Sequence, residues 1–176
     1  MNDLENLLGR WGNFYLIMSA AASQLIGLLF VVITLAAERR REEIDVSKKI
    51  RVYLTPPVVY FGSVLGICAL LAFPNHTRLT AILCICLVGV AGFVYSGSIL
   101  FGDDKGSYYD RSDVFKYAGL PFVAYTMLVS GGFLLLYEAQ LGLTVVAMSM
   151  LSLLTIAIRD SWAIAIGVVS EHRRGK

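Results

Sequence analysis

Apolar residues fall into five long runs along this chain, separated by short polar segments. The runs predict helices at about 13–37, 55–73, 79–101, 114–137 and 140–158. Each is near the roughly 20 residues that cross the hydrocarbon of a bilayer. Arg159-Asp160 interrupts the fifth run, which resumes as SWAIAIGVVS, so its helix is expected to continue to about residue 171. Ahead of the first run, Leu4, Leu7, Leu8 and Trp11 repeat at helical spacing opposite Glu5 and Asn6. That pattern predicts a short amphipathic helix on the outer membrane surface, over residues 1–12. The five-helix transmembrane domain then covers 13–171, and 172–176 form a basic cytoplasmic tail.

The second run opens with Thr55-Pro56-Pro57, just after Lys48, Lys49 and Arg51. Threonine serves as an N-cap, and proline is well tolerated in a first turn, where N–H groups lack intrahelical partners. The stretch therefore predicts that helix 2 begins at Thr55.

Charge orients the spans. Segment 38–51 holds six Lys/Arg, 102–116 three and the tail from Arg159 four, whereas the outer turns hold Arg78 alone. With the N-terminus outside, thirteen of the fifteen Lys/Arg lie on the cytoplasmic side, as the positive-inside rule requires. The predicted fold is an all-α polytopic membrane protein, a five-transmembrane-helix bundle with its C-terminus cytoplasmic. Composition agrees: 57% of residues are apolar and 16% charged, against about 45–50% and about 25% in soluble domains. The N-terminus lacks a basic n-region and its apolar run exceeds a signal-peptide core, so no cleavage is expected. In segment 38–51, Arg39–Glu43 and Arg41–Asp45 are spaced for ion pairs on a helix, and acids largely cancel the bases. No stretch resembles a nucleic-acid surface.

The candidate chemistry is sparse. The centres of the first four spans carry no Asp, Glu, Lys, Arg or His. Proton-coupled transporters keep such residues there, so that class is disfavoured. Cys68, Cys84 and Cys86 lie in apolar runs, and Cys84 and Cys86 point to nearly opposite sides of a helix; no metal site or cofactor is expected. The acidic loop around Asp103, Asp104, Asp110 and Asp113 lacks EF-hand spacing, and Ser112 is a candidate helix cap. Neutral polar residues offer two readings: hydrogen bonds between helices, or a polar path. Gln24, Ser23, Tyr60, Ser63 and Ser96 are the path candidates. Gln24 carries the strongest demand, because lipid satisfies neither its donors nor its acceptor. Arg51, Thr55, Arg159, Asp160 and Trp162 are candidates for a cytoplasmic mouth or a lipid-headgroup contact; the plainer reading of the last three is an interfacial anchor. Small residues at four-residue spacing, Ser19/Ser23/Gly27 and Gly62/Gly66, suit close helix packing and self-association; Gly92/Ser96 and Thr126/Ser130 repeat the pattern.

The stretches FYLIMSAAASQLIGLLFVVITL (14–35), YLTPPVVYFGSVL (53–65), GFVYSGSIL (92–100), LPFVAYTMLV (120–129) and IAIRDSW (156–162) resemble a family of small five-span bacterial inner-membrane proteins. That family has no assigned activity. The resemblance implies a bacterial inner-membrane location and the same five-span topology. It also marks two departures. Family members often carry His where Tyr60 stands, and Asn-Ala-Trp-Asp where this chain has Asp160-Ser161-Trp162-Ala163.

Three functions are weighed. The first is a homo-oligomeric channel or pore for an ion or small solute, which needs only neutral donors and acceptors. The second is a non-enzymatic accessory or sensor subunit packed against another membrane complex. The third, a lipid enzyme using Asp160 or His76, ranks last for want of a visible acid–base partner. The expected protein is not an enzyme, and its partners are the lipid bilayer and copies of itself.

Overall fold

A computed structural model describes residues 3–39, 44–73, 77–101 and 119–174. Their secondary structure is helical: α1 (Asp3–Arg39), α2 (Ile44–Leu71), α3 (Arg78–Phe101), α4 (Leu120–Leu134) and α5 (Ala139–Arg174). Three stretches are long and apolar enough to cross a membrane: Asn6–Thr34, Arg78–Leu100 and Ala139–Ala163. The apolar parts of the other two helices, Thr55–Leu71 and Leu120–Leu134, are shorter.

Each helix packs on its neighbours in sequence. α1 also meets α5, and α2 crosses the middle to α5, so α2 and α5 form the centre. The stripe that α5 buries is Leu143, Val146, Met150, Leu153, Ala157 and Asp160, all fully inaccessible and three or four residues apart. This spacing is the one that keeps a single helix face turned to the core. Tyr60, Val64, Ile67 and Leu71 do the same for α2. α1 contributes Leu8, Tyr15, Met18 and Ala22 to this core, and buries Leu29 as well. The outside is equally apolar, with Leu79, Leu83 and Leu87 of α3 each about two-thirds exposed or more. An apolar exterior of that kind is compatible with a membrane protein.

Local chemistry explains most of the ends. Thr77 caps α3, its Oγ1 accepting from Thr80 N at 3.2 Å while its carbonyl accepts from Ala81 N at 3.1 Å. At the α4–α5 turn, Glu138 N donates to Leu134 O at 2.9 Å and Gly142 N to Glu138 O at 3.0 Å. α5 runs unbroken through Arg159-Asp160, as its sequence predicts, and reaches Arg174. α1 starts at Asp3 and is continuous through the segment expected to lie flat as a separate helix.

One boundary differs from the sequence reading. Helix 2 does not begin at Thr55: it starts at Ile44 and carries Pro56 and Pro57 inside it. Each proline removes one backbone N–H, here those that would meet the carbonyls of residues 52 and 53, at a cost of roughly 3 kcal/mol per interior proline. Both rings are buried in the bundle, and that apolar contact offsets part of the loss. His76, the acidic loop, Ser112 and residues 40–43 with their expected ion pairs lie outside the described residues.

Candidate functional site

The polar residues picked out as a path divide into two sets. Tyr60 and Ser96 are fully buried in the bundle and Ser63 is half-buried, whereas Ser23 and Gln24 are exposed on α1. Within this interior set Ser63 joins two helices, whereas Ser96 Oγ is buried without a hydrogen-bond partner among the described residues. Ser63 Oγ donates to the Val59 carbonyl at 2.8 Å and lies 2.8 Å from the Tyr125 hydroxyl of α4. A serine has one proton to give, so with that proton on Val59 the tyrosine is the donor to Ser63. The Tyr60 and Tyr125 rings sit 6.2 Å apart. Tyr125 also fills the notch over Gly92 of α3. Ser149 of α5 donates to the Ala124 carbonyl of α4 at 2.7 Å, fully buried. α2, α3, α4 and α5 thus meet around Tyr125.

This directed chain makes a measurable prediction. Ser63→Ala leaves a buried tyrosine hydroxyl without an acceptor and is expected to cost about 1.5 kcal/mol. Tyr125→Phe leaves Ser63 bonded to its own helix and is expected to cost about 0.5 kcal/mol, near the average for interhelical hydrogen bonds in membranes. Thermal unfolding in detergent reads both. If Tyr125→Phe is the more damaging of the two, the donor assignment is wrong.

The α1 set faces away from the bundle. Buried Tyr15, Met18, Ala22 and Leu29 define one side of the helix, and Ala20, Ser23, Gln24 and Gly27 lie on the other. The exposed hydroxyls fold back on their own helix: Ser23 Oγ donates to Ala20 O at 3.0 Å and Thr34 Oγ1 to Val31 O at 2.9 Å. Ser19, half-buried, does likewise to Leu16 O at 2.9 Å. The Gln24 amide differs, since it finds no hydrogen-bond partner among the described residues.

Near the far end of α5, Arg159 Nε and Nη2 both donate to Asp160 Oδ1, at 3.0 and 2.7 Å. The arginine is 41% exposed, the aspartate fully buried, and Asp160 Oδ2 has no hydrogen-bond partner among the described residues. Asp160 occupies the next place in the buried α5 stripe, so its burial follows from helical register, and the adjacent guanidinium supplies its counter-charge. Trp162 is 69% exposed beside them, in keeping with an anchor at a membrane interface. Thr55 is exposed on α2, and the Arg51 side chain lies outside what is described.

The glycines divide in the same way. Gly92 of the Gly92/Ser96 pair is an internal contact, while a methyl group on Gly27, Gly62 or Gly66 would meet nothing within 4 Å. Two close approaches went unmarked by the four-residue spacing, Gly89 against Val129 and Gly142 against Leu135. The partner of each lies far away in sequence or across a turn, which single-helix spacing does not register. Among the described residues, no three His, Cys, Asp or Glu come together as metal ligands. Comparison with protein families, with curated proteins and with solved structures finds no match for this chain.

Proposed function

We propose that the chain is a five-span membrane protein of the bacterial inner membrane, with its N-terminus outside, that assembles with copies of itself into a channel or pore for an ion or small solute. The observation that carries this reading is Gln24. It stands near the middle of the 29-residue apolar stretch of α1, exposed and without a hydrogen-bond partner among the described residues. Hydrocarbon cannot solvate an amide, so this face calls for another protein surface or for water. An assembly in which α1 helices surround an axis supplies both, with Asn13, Gln24 and Thr34 as exposed polar groups at successive depths. Neutral donors and acceptors at a constriction suffice to conduct.

A second reading, a non-enzymatic accessory subunit, draws support from the interior. Ser63 pairs with Tyr125, and Ser149 with the Ala124 carbonyl, across helices, which disfavours a path along those residues through one copy; Ser96 Oγ alone of the buried path candidates stays without a hydrogen-bond partner among the described residues. Flux from purified protein in liposomes separates the two. Wild type is expected to pass small monovalent ions or small neutral solutes above empty liposomes, and Gln24→Leu to reduce that flux at least ten-fold. No flux above background, together with a monomeric native mass, sinks the pore reading and favours the subunit.

A further inference from the structure

We propose that the α1 face formed by Ala20, Ser23, Gln24 and Gly27 is the docking surface for a second copy of this chain, with the two Gln24 amides hydrogen-bonded to each other. This rests on the self-association proposed above and adds the face, the depth and the chemistry of contact: the bonded amides are the closed constriction of that axis, and conduction requires them to part.

The composition of the face is the first argument. The outward side of α3 presents Leu79, Leu83, Leu87 and Val94, each more than 60% exposed. Bulky aliphatic side chains of that kind are what lipid tails solvate well. The outward side of α1 presents alanine, serine, glutamine and glycine at its middle, between exposed Leu16 and Ile17 on one side and Leu28 and Val31 on the other. A methyl group on Gly27 would touch nothing within 4 Å, and the Ser23 hydroxyl is turned onto its own helix. A partner backbone can therefore come close, as small residues allow between helices in lipid.

The second argument is independent of size and comes from the amide. The exposed hydroxyls of the other helices donate to their own backbones: Thr126 to Phe122, Ser130 to Met127, Thr144 to Gln140 and Thr155 to Leu151. They demand nothing further. Gln24 demands both an acceptor and donors. Two copies inserted with the same topology hold residue 24 at the same depth, and a two-fold axis along the membrane normal brings each amide to its twin. One amide then donates to the carbonyl oxygen of the other and accepts in return, so the surface is self-complementary, as a two-fold contact must be. A single buried amide in a helix pair also fixes register.

The competing surface is α2, where Gly62, Gly66 and Ala69 are likewise small and open to the outside. Its one polar neighbour at mid-helix, Ser63, is already bonded inward. Lipid meets that face without loss.

Site-directed crosslinking in liposomes tests the assignment. Cys68, Cys84 and Cys86 are replaced by Ala, and single cysteines are placed as Ala20→Cys, Gly27→Cys, Gly62→Cys or Leu83→Cys. Oxidation is expected to yield several-fold more covalent dimer from Ala20→Cys and Gly27→Cys than from the other two. Equal or greater yield from Gly62→Cys or Leu83→Cys, or none from any, overturns the proposal. A second measurement keeps the native cysteines: energy transfer between fluorescent C-terminal fusions, where Gln24→Leu is expected to weaken association about five-fold. Unchanged transfer in Gln24→Leu removes the amide pair from the proposal. Because Gln24 is exposed on α1, the variant is expected to unfold at the wild-type temperature. Crosslinks at Ala20→Cys in liposomes that pass no solute leave this contact standing and defeat the pore. Conducting liposomes crosslinked through Gly62→Cys do the reverse.

Discussion

Gly92→Ala is expected to lower the stability of the folded bundle by about 3 kcal/mol, the upper part of the range for overpacked cores. A methyl group at this position would overlap the ring of Tyr125. A ring edge can often swing aside. Here the tyrosine is fully buried, packed against Tyr60 and hydrogen-bonded to Ser63. Moving the ring breaks that bond, and keeping it pushes α3 away from α4. α3 and α4 touch again at Gly89 with Val129 and at Gly132 with Ile85 and Cys86, so a shift at Gly92 disturbs the whole seam. Thermal unfolding in detergent measures the loss. Gly62→Ala and Gly66→Ala are the matched controls, since each has open space for a methyl group, and each is expected to stay within about 0.5 kcal/mol of wild type. If Gly92→Ala unfolds with the controls, the ring is not held as described.

Gly142→Val is expected to be still more damaging, by about 4 kcal/mol, and to reduce the yield of folded protein. The obstacle here is backbone. A Cβ on Gly142 would lie 2.8 Å from Leu135 N and 3.0 Å from Gly131 O. These are atoms of the turn itself: Leu135 N donates to Gly131 O at 3.3 Å, closing the last turn of α4. Gly131 meets α5 in return, where a Cβ would lie 3.0 Å from Val146 N. Two glycines thus face each other across the hairpin, and backbone atoms stand in each wall beside the Leu135 and Val146 side chains, so a rotamer change alone does not clear the space. Even Gly142→Ala is expected to cost more than Gly27→Ala, which meets open space. Equal unfolding temperatures for that pair count against so close an approach of α4 and α5.

These contrasts show where the sequence is legible. The three long apolar helices and the passage of α5 through Arg159-Asp160 follow from hydropathy and spacing, because both belong to a single helix. The start of α2 did not follow. Thr55-Pro56-Pro57 reads as a first turn on local rules, yet the preceding residues are helical too, and the buried rings hold the prolines inside the helix. The facing of each small residue is a property of the assembled bundle. Gly92 and Gly62 look alike in sequence, and only the packing of Tyr125 tells them apart. Gln24 was legible as a demand on its surroundings, since the chemistry of an amide is independent of fold. The side of α1 on which it stands was not, because that depends on which residues α2 and α5 bury.

The length of α1 has a mechanical consequence. Its apolar stretch, Asn6–Thr34, contains 29 residues, about 43 Å of helix at 1.5 Å per residue. The hydrocarbon layer is about 30 Å thick. A rod longer than the layer it crosses tilts, and two tilted rods touching near their midpoints diverge toward both surfaces. Copies that meet at Gln24 would then form an hourglass, its waist at the amides and its flared ends filled by lipid or water. Bilayer thickness becomes a control on such a shape: longer acyl chains draw the rods upright and parallel, shorter ones splay them.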